Sequence, residues 1–452
     1  MRTFLLFTFY FLLATALPLA AQRTYYVDSE KGDDAATGLR SDAAWKSLEQ
    51  VNRADIQAGD TVRFKRGGIW RGQLVPKSGA QGKPVTYTSY GEGEKPILQG
   101  SLSRSVAGDW AQVSDGVWAA QGVGLDVGIL ILNHGAAYGV KKWKLADLVN
   151  ALDYWYDADG KRVYVRCDTN PAEKYSSVEL ALTRHIINQS NRHDVVYDGL
   201  AIRYGAAHGF GGGMTKRLII RNCDVYWIGG GLQFFKEDGT PVRYGNGIEF
   251  WDGAEDHLVE GNRLWEIYDA ALTNQGSAEN SHQVNIVYRN NVIWNCEYSF
   301  EFWNRPAGVK THNIIFENNT CVNAGQVWSH AQRPDPNGAH LMFYYNPSDT
   351  QGFIIRNNVF CGTTHVCLRM ENDWRSGLRM ENNLYYVTDK PVTRWLIRTF
   401  LPTLKAHQQT TGLDATSIFA KPDFVNPDKH DYRLKPGSVG FNELGIREML
   451  RF

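Results

Sequence analysis

Six stretches decide the reading of this chain: RLIIRNCDVYW (217–227), HLVEGNRLWEI (257–267), NIVYRNNVIWN (285–295), NIIFENNTCVN (313–323), GFIIRNNVF (352–360) and GLRMENNLYYV (377–387). Each runs from an apolar alternation through a charged residue and an Asn or Asn-Asn to a second apolar alternation. A period of two marks a strand, and no helix-period segment lies between the units. Taking the last Asn of each central group gives Asn222, Asn262, Asn291, Asn319, Asn358 and Asn383, spaced by 40, 29, 28, 39 and 25 residues. A sandwich also uses short strands, but it has no reason to repeat Asn at one place in every unit. A solenoid has one. Asn tolerates the left-handed backbone of a turn, and stacked coils can join their amides in a ladder. The spacings of 40 and 39 mark loops inserted into two coils, and such insertions tend to sit on the binding face.

The flanks read outward from this core. TYYVDSEKGDDAATGLRSDAAWKSLEQVNRADIQAGDTVRFKRGG (24–68) reads as strand, acidic Gly-rich loop, helix, turn and strand. Ser41 is the expected N-cap, and Trp45, Leu48 and Val51 form the apolar stripe of that helix. A helix here caps the open end of the solenoid. Residues 101–185 depart from the repeat. VWAAQGV, GILILN and RVYVRC read as strands, KLADLVNAL as a short helix and YDADGKRVYV as a hairpin. The expected division is therefore 1–21 as a signal peptide, 22–100 as cap and first coils, 101–185 as a β-rich insertion, 186–390 as the core and 391–452 as a closing segment.

Composition bounds the function. Lys plus Arg and Asp plus Glu are 48 each, a balance that argues against a nucleic-acid protein or docking on anionic lipid. The 44 Gly and 56 aromatic residues (14 Trp, 22 Tyr, 20 Phe) suit a turn-rich β protein that handles flat or ring-shaped ligands. Arg2, the 14-residue apolar run Phe4 to Leu17, Pro18 and the small Ala20 and Ala21 read as a secretory signal cut near Ala21. The run is short of the about 20 residues of a membrane span. Secreted or periplasmic location follows, with no membrane span and a monomer expected. Export permits disulfides, and Cys361 and Cys367 are a candidate pair; buried thiols are the equal alternative. No Cys spacing suits structural zinc.

The opening YYVDSEKGDDAATG (25–38) with GDTVRFKRGG (59–68), the Asn-bearing coils and the closing FVNPDKHDYRLKPGS (424–438) resemble secreted right-handed parallel β-helix proteins of the pectate-lyase-like superfamily. That resemblance covers nearly the whole mature chain. It implies an all-β, right-handed parallel β-helix solenoid with an N-terminal cap helix and a β-rich insertion, acting on polysaccharides. WYDADGKRVYVRCDTNPAEKYSSVELA (155–181) and RHDVVYDGLAIRYGAAHGF (192–210) are most similar to its glycoside hydrolase members. The superfamily also holds lyases, so fold alone does not choose the reaction.

Three strands carry the candidate chemistry: GNGIEFWDG (245–253), DAALTNQG (269–276) and YSFEFWNR (298–305). With Ile248, Leu272 and Phe300 aligned inward, Glu249, Thr273 and Glu301 form one outward column. Trp251, Gln275 and Trp303 form the next. Asp269 sits at the turn edge, and His208 belongs to the preceding coil. Glycoside hydrolysis needs two carboxyl groups flanking the bond, so Asp269, Glu301 and Glu249 are the catalytic candidates. Glu249 and Glu301, two coils apart, would stand roughly 9–10 Å apart at the backbone, which suits inversion; Asp269 with either glutamate would suit retention. His208, Trp251, Gln275, Trp303, Asn304, Arg305 and His330 are the candidate substrate-binding residues for a poly- or oligosaccharide. Hydrolysis needs no cofactor and no metal. A polysaccharide lyase is the competing reading. Its base or charge neutraliser would come from His208, Arg305, Lys310, His330 or Arg333, with Glu249 and Asp252 holding Ca²⁺. A third reading is a non-catalytic glycan-binding solenoid.

Overall fold

The computed structural model describes residues 22–440, so the expected signal peptide lies outside the described residues. The chain is all-β and solenoid-like. Successive coils add parallel strands to three columns. One column runs from Thr24–Val27 through Thr61–Lys65, Val85–Tyr90, His193–Asp198, Gly213–Arg221 and Ile248–Glu260 to Leu378–Glu381. A second runs from Ile69–Arg71 through Ala201–Gly205, Asp224–Ile228 and Arg263–Gly276 to Ile418–Phe419. The third includes the first half of Ile248–Glu260, the second halves of Arg263–Gly276 and Val292–Asn304, then Ala339–Phe343, Val366–Met370 and Thr393–Trp395. Inward residues of all three columns form one continuous apolar core, including Phe250, Leu272, Phe300, Phe316 and Phe360.

The repeated Asn pairs divide two jobs. Asn290, Asn318, Asn357 and Asn382 hold the left-handed turn, with φ between 52° and 57°. The following Asn is buried and bonds along the stack. Asn291 Oδ1 accepts from the Asn262 backbone N–H and from Asn262 Nδ2, both at 3.0 Å. Asn319, Asn358 and Asn383 repeat that pair of bonds. Each amide also donates to an inward carbonyl, as Asn291 does to Val259. At the far end Asn383 donates to Ser417 Oγ and Asp414 Oδ1, which close the ladder. Asn222 is not a ladder member. It takes the left-handed turn and donates to Asp198, while Cys223 occupies the ladder position with its N–H on Asn262 Oδ1. The single Asn of that unit does the turn's work, so the ladder stops one coil early.

Local elements differ from the sequence reading in two places. The cap helix spans Leu48–Arg53 and begins at Ser47, not Ser41. Asp34 decides this: it accepts from the Lys46 and Ser47 N–H groups and the Ser47 hydroxyl, while Ser47 Oγ accepts from Gln50 N–H. Trp45 therefore precedes the helix, and Ser41–Ala43 is a 3-10 turn. KLADLVNAL forms only a 3-10 turn at Leu145–Asp147, because the Asp153 carboxylate captures the Val149 and Asn150 N–H groups. All six cysteines are unpaired, including Cys361 and Cys367.

Residues 101–185 split between two sheets. Ser101–Ser103, Val127–Leu132 and Val178–Leu182 pair antiparallel within the main sheet. Trp110–Ser114, Val117–Gln121, Val140–Lys142, Asp153–Asp157 and Arg162–Arg166 form a separate five-stranded sheet.

The two long-spaced coils each send out a loop. Residues 230–244 contain a hairpin, Gly231–Phe235 with Pro241–Tyr244; residues 326–337 contain a 3-10 turn at His330–Gln332. Both loops leave and return through a glycine neck. A Cβ on Gly245 would lie 2.2 Å from Gly229 Cα, and one on Gly338 would lie 2.4 Å from Gly325 Cα. Only glycine permits so close a backbone approach. Removing the Asn291 amide leaves buried ladder groups without partners, so Asn291→Ala should cost about 1–3 kcal/mol for each group orphaned. Urea denaturation of the variant checks this; an unchanged midpoint would refute the ladder as a source of stability.

Candidate active site

The strand register builds the site. Ile248, Leu272 and Phe300 pair inward; Glu249, Thr273 and Glu301 align in one outward column; Trp251, Gln275 and Trp303 align in the next. The column is not open to solvent as an outward position would suggest. Glu249 and Glu301 are each only 4% exposed, with His208 against the former and Gln275 and Trp303 against the latter.

Asp269 reaches the site through an irregularity. Ile267 pairs with Cys296 and Ala270 with Tyr298, so Tyr268 and Asp269 together oppose the single residue Glu297. Such a bulge bends the strand and re-aims a side chain. Asp269 then meets Arg333 at 3.2 Å and keeps 20% of its side chain accessible. Arg333 comes from the 326–337 loop. It donates to the Tyr268 carbonyl at 2.7 Å, stands 3.7 Å from Glu297 and lies over the rings of Tyr268 and Tyr298. Glu297 is fully buried and also accepts from His330 Nδ1 at 2.9 Å and from Asn337 N–H at 3.0 Å. One carboxylate thus fastens the whole loop to the bulge.

Each remaining acid has its own setting. Glu301 Oε1 accepts from Gln275 Nε2 at 2.9 Å and from Trp303 Nε1 at 3.0 Å. Glu249 Oε2 lies 2.6 Å from His208 Nε2. His208 Nδ1 accepts the Asn246 N–H at 2.9 Å, so the neutral ring carries its proton on Nε2 and donates it to Glu249. With Nδ1 engaged and Nε2 already protonated, His208 is unsuited to be a base. Asn246 Oδ1 in turn accepts the Ala270 N–H, beside Asp269. Burial pushes Glu301 well above the usual carboxylate range, and the negative charges of Asp269 and Glu249 push the same way; the Trp303 bond and Arg333 oppose. Burial also raises Asp269, against the pull of Arg333 and with a further push from Glu297. Glu301 thus interacts electrostatically with both Asp269 and Glu249, and burial favours its acid form.

Several expected positions change character. Trp303 is 7% exposed, and the Arg305 guanidinium covers its face at 4.2 Å, so it is no open platform for a sugar ring. Trp251 meets it edge-on at 5.5 Å and is half-buried. Asn304 points inward, where it accepts from Ser281 Oγ and donates to the Ser281 carbonyl and Thr311 Oγ1; its parity, opposite to Glu301 and Trp303, requires this. Gln275 reaches Glu301, and His330 reaches Glu297. Arg305 and Lys310 are exposed. Asp252 accepts from the Ser277 and Ala278 N–H groups, and among the described residues no group of three or more His, Cys, Asp or Glu is placed to hold a metal.

Glu297, and Arg333 as partner of Asp269, were missed from the sequence. A signal exists: Asn262 to Leu272 is ten residues, whereas Asn291 to Phe300 is nine. The extra residue is the bulge.

No protein-family profile matches the chain. A lacto-N-biosidase of Bifidobacterium longum is 35% identical over 106 residues, a match covering 22% of this chain and 6% of that protein's length. A solved structure titled a glycoside hydrolase superposes with a TM-score of 0.51 at 9% identity, covering 87% of this chain and 99% of that one. The lacto-N-biosidase of Eubacterium ramulus gives 0.41 at 13% identity, covering 88% and 68%. The first of these superpositions shows a shared all-β fold.

Two outcomes follow from the geometry. Removing one partner of a buried ionic network costs about 3–5 kcal/mol, so Glu297→Gln should destabilise the protein. Hydrogen exchange should rise first in residues 326–337; uniform protection there would contradict the fastening role. The native state holds a proton on Glu301 that the unfolded chain releases above its ordinary pKa of 4.5. Stability from this group is therefore full below that value and falls as pH rises through the raised native pKa. Urea denaturation of Glu301→Gln across pH should show a flatter slope than the parent.

Proposed function

We propose that the protein is a secreted glycoside hydrolase on a right-handed parallel β-helix, cleaving a glycosidic bond in a poly- or oligosaccharide. The observation that carries this reading is the sharing of one desolvated space by Asp269 and Glu301, with Arg333 against the former. Glu301 is the general acid. Both its hydrogen bonds land on Oε1, leaving Oε2 to carry the proton to the glycosidic oxygen. Asp269, beside the Arg333 charge, is the second carboxyl group and acts as base or nucleophile. Glu249, held by the Nε2–H of His208, acts electrostatically on Glu301 and favours its protonated form. The lacto-N-biosidase match supports glycosidase chemistry through a short segment, and its substrates belong in the first panel to be assayed. Cleavage of the signal near Ala21, a monomeric state and the absence of a cofactor belong to the same proposal.

One observation favours the lyase reading. Glu297 holds His330 through Nδ1, which leaves Nε2 as a basic nitrogen on a ring whose side chain is 25% accessible. The mature protein should therefore be incubated with a glycan panel, following both new reducing ends and the ultraviolet absorbance of unsaturated products. Reducing ends without absorbance are expected. Glu301→Gln and Asp269→Asn should each lower kcat/KM by about 100- to 10,000-fold, with His330→Ala much milder. Growing absorbance, abolished in His330→Ala, would replace the hydrolase with a lyase. The anomer first released separates inversion from retention.

A further inference from the structure

Two columns of this solenoid pair opposite charges on the outer face. On adjacent rungs an Arg sits in register with an acid: Arg221 with Asp198, Arg263 with Asp224, Arg289 with Glu260 and Arg356 with Glu317. Each of these pairs closes at 2.6–2.9 Å. The column that carries Glu249 and Glu301 has no Arg–acid pair in register. Glu301 pairs with Met342, Met342 with Arg369, and Arg369 with Arg394. The flanking Leu368, Met370, Thr393 and Trp395 are buried inward, so both arginines face out. Like charges directly opposite on neighbouring strands are destabilising.

The local charge is only partly balanced. Arg369 donates to Glu371 at 2.7 Å. Arg394 has no ion pair among the described residues; it donates to the Ile397 carbonyl and lies 5.6 Å over the Phe400 ring. Arg369 Nε and His365 Nε2 are buried without hydrogen-bond partners. Phe400 is 49% exposed and meets His365 edge-on at 5.8 Å. Tyr344 links this cluster to the acids: the Arg369 guanidinium lies 5.8 Å from its ring, and Glu301 and Asp269 act on its hydroxyl electrostatically.

We propose that Arg369, Arg394 and His365 form a subsite for an anionic substituent on a sugar, a carboxylate or sulfate ester, in the groove that holds Glu301. By strand spacing it stands roughly 10–14 Å along the column from Glu301. The guanidinium pair supplies charge-assisted donors, and Phe400 supplies the apolar edge against which the ring lies. Its place in a substrate groove rests on the hydrolase reading, but the binding itself does not.

The experiment reads binding by the full chain without turnover. Glucuronate, glucose 6-sulfate and glucose are compared by saturation-transfer NMR. At least one of the two anions should bind saturably and weaken with salt, while glucose should not bind. Arg394→Gln should weaken the anion by about tenfold or more. Arg394→Glu should abolish anion binding yet raise the melting temperature, because it places an acid directly opposite Arg369 in place of a like charge. Equal binding of glucose and the anions, or unchanged binding in Arg394→Gln, would overturn the subsite. If no glycan is hydrolysed but these results hold, the hydrolase reading fails and the subsite stands.

Discussion

Everything in this molecule depends on parallel coils stacking in strict register. Backbone bonds along three columns set the rung spacing, and the buried Asn amides hold it at one turn. A ladder Asn bonded to the coil on either side cannot shift without breaking bonds in a dry interior. The register is thereby transmitted to every outward side chain. A residue's neighbours are then found one coil away, not beside it in sequence.

Function is built from departures from that regularity. The bulge at Tyr268–Asp269 adds one residue opposite Glu297 and swings a carboxyl into the column. Two glycine necks let loops leave the stack without opening it. One of those loops brings Arg333 against Asp269, and close packing leaves the acids little water, so their charged forms become costly. Arg333 and Glu297 then act as a pair across the seam between loop and coil. Where two arginines stand in register, at Arg369 and Arg394, local potential departs from a chain whose total charge is zero. A balanced sum thus says little about what one groove attracts.

Much of this was legible beforehand. Period-two alternation and the recurring Asn pointed to a solenoid, and inward alignment of Ile248, Leu272 and Phe300 placed Glu249 and Glu301 in one column as the strands pair. Asn222 misled because a single Asn can serve the turn or the ladder, and only the coil above decides which. Asn304 was assigned to the surface although the parity that placed Glu301 outward turns it inward. The N-terminal helix began late because Asp34, thirteen residues away, captured Ser47 and its neighbours.

By itself the sequence determined what repeats: strand period, turn residues, coil length and the two coils that carry extra chain. These are local properties, set by side-chain alternation and by backbone conformations that Asn and Gly tolerate. Only the tertiary structure decided what meets. Arg333 lies 64 residues from Asp269 and 36 from Glu297 in the chain, yet it touches both. Burial of the acids, the tautomer of His208 and the covering of Trp303 by Arg305 likewise arise from contacts between coils and loops. Their energies depend on how much water is excluded, and that is a property of the packed assembly.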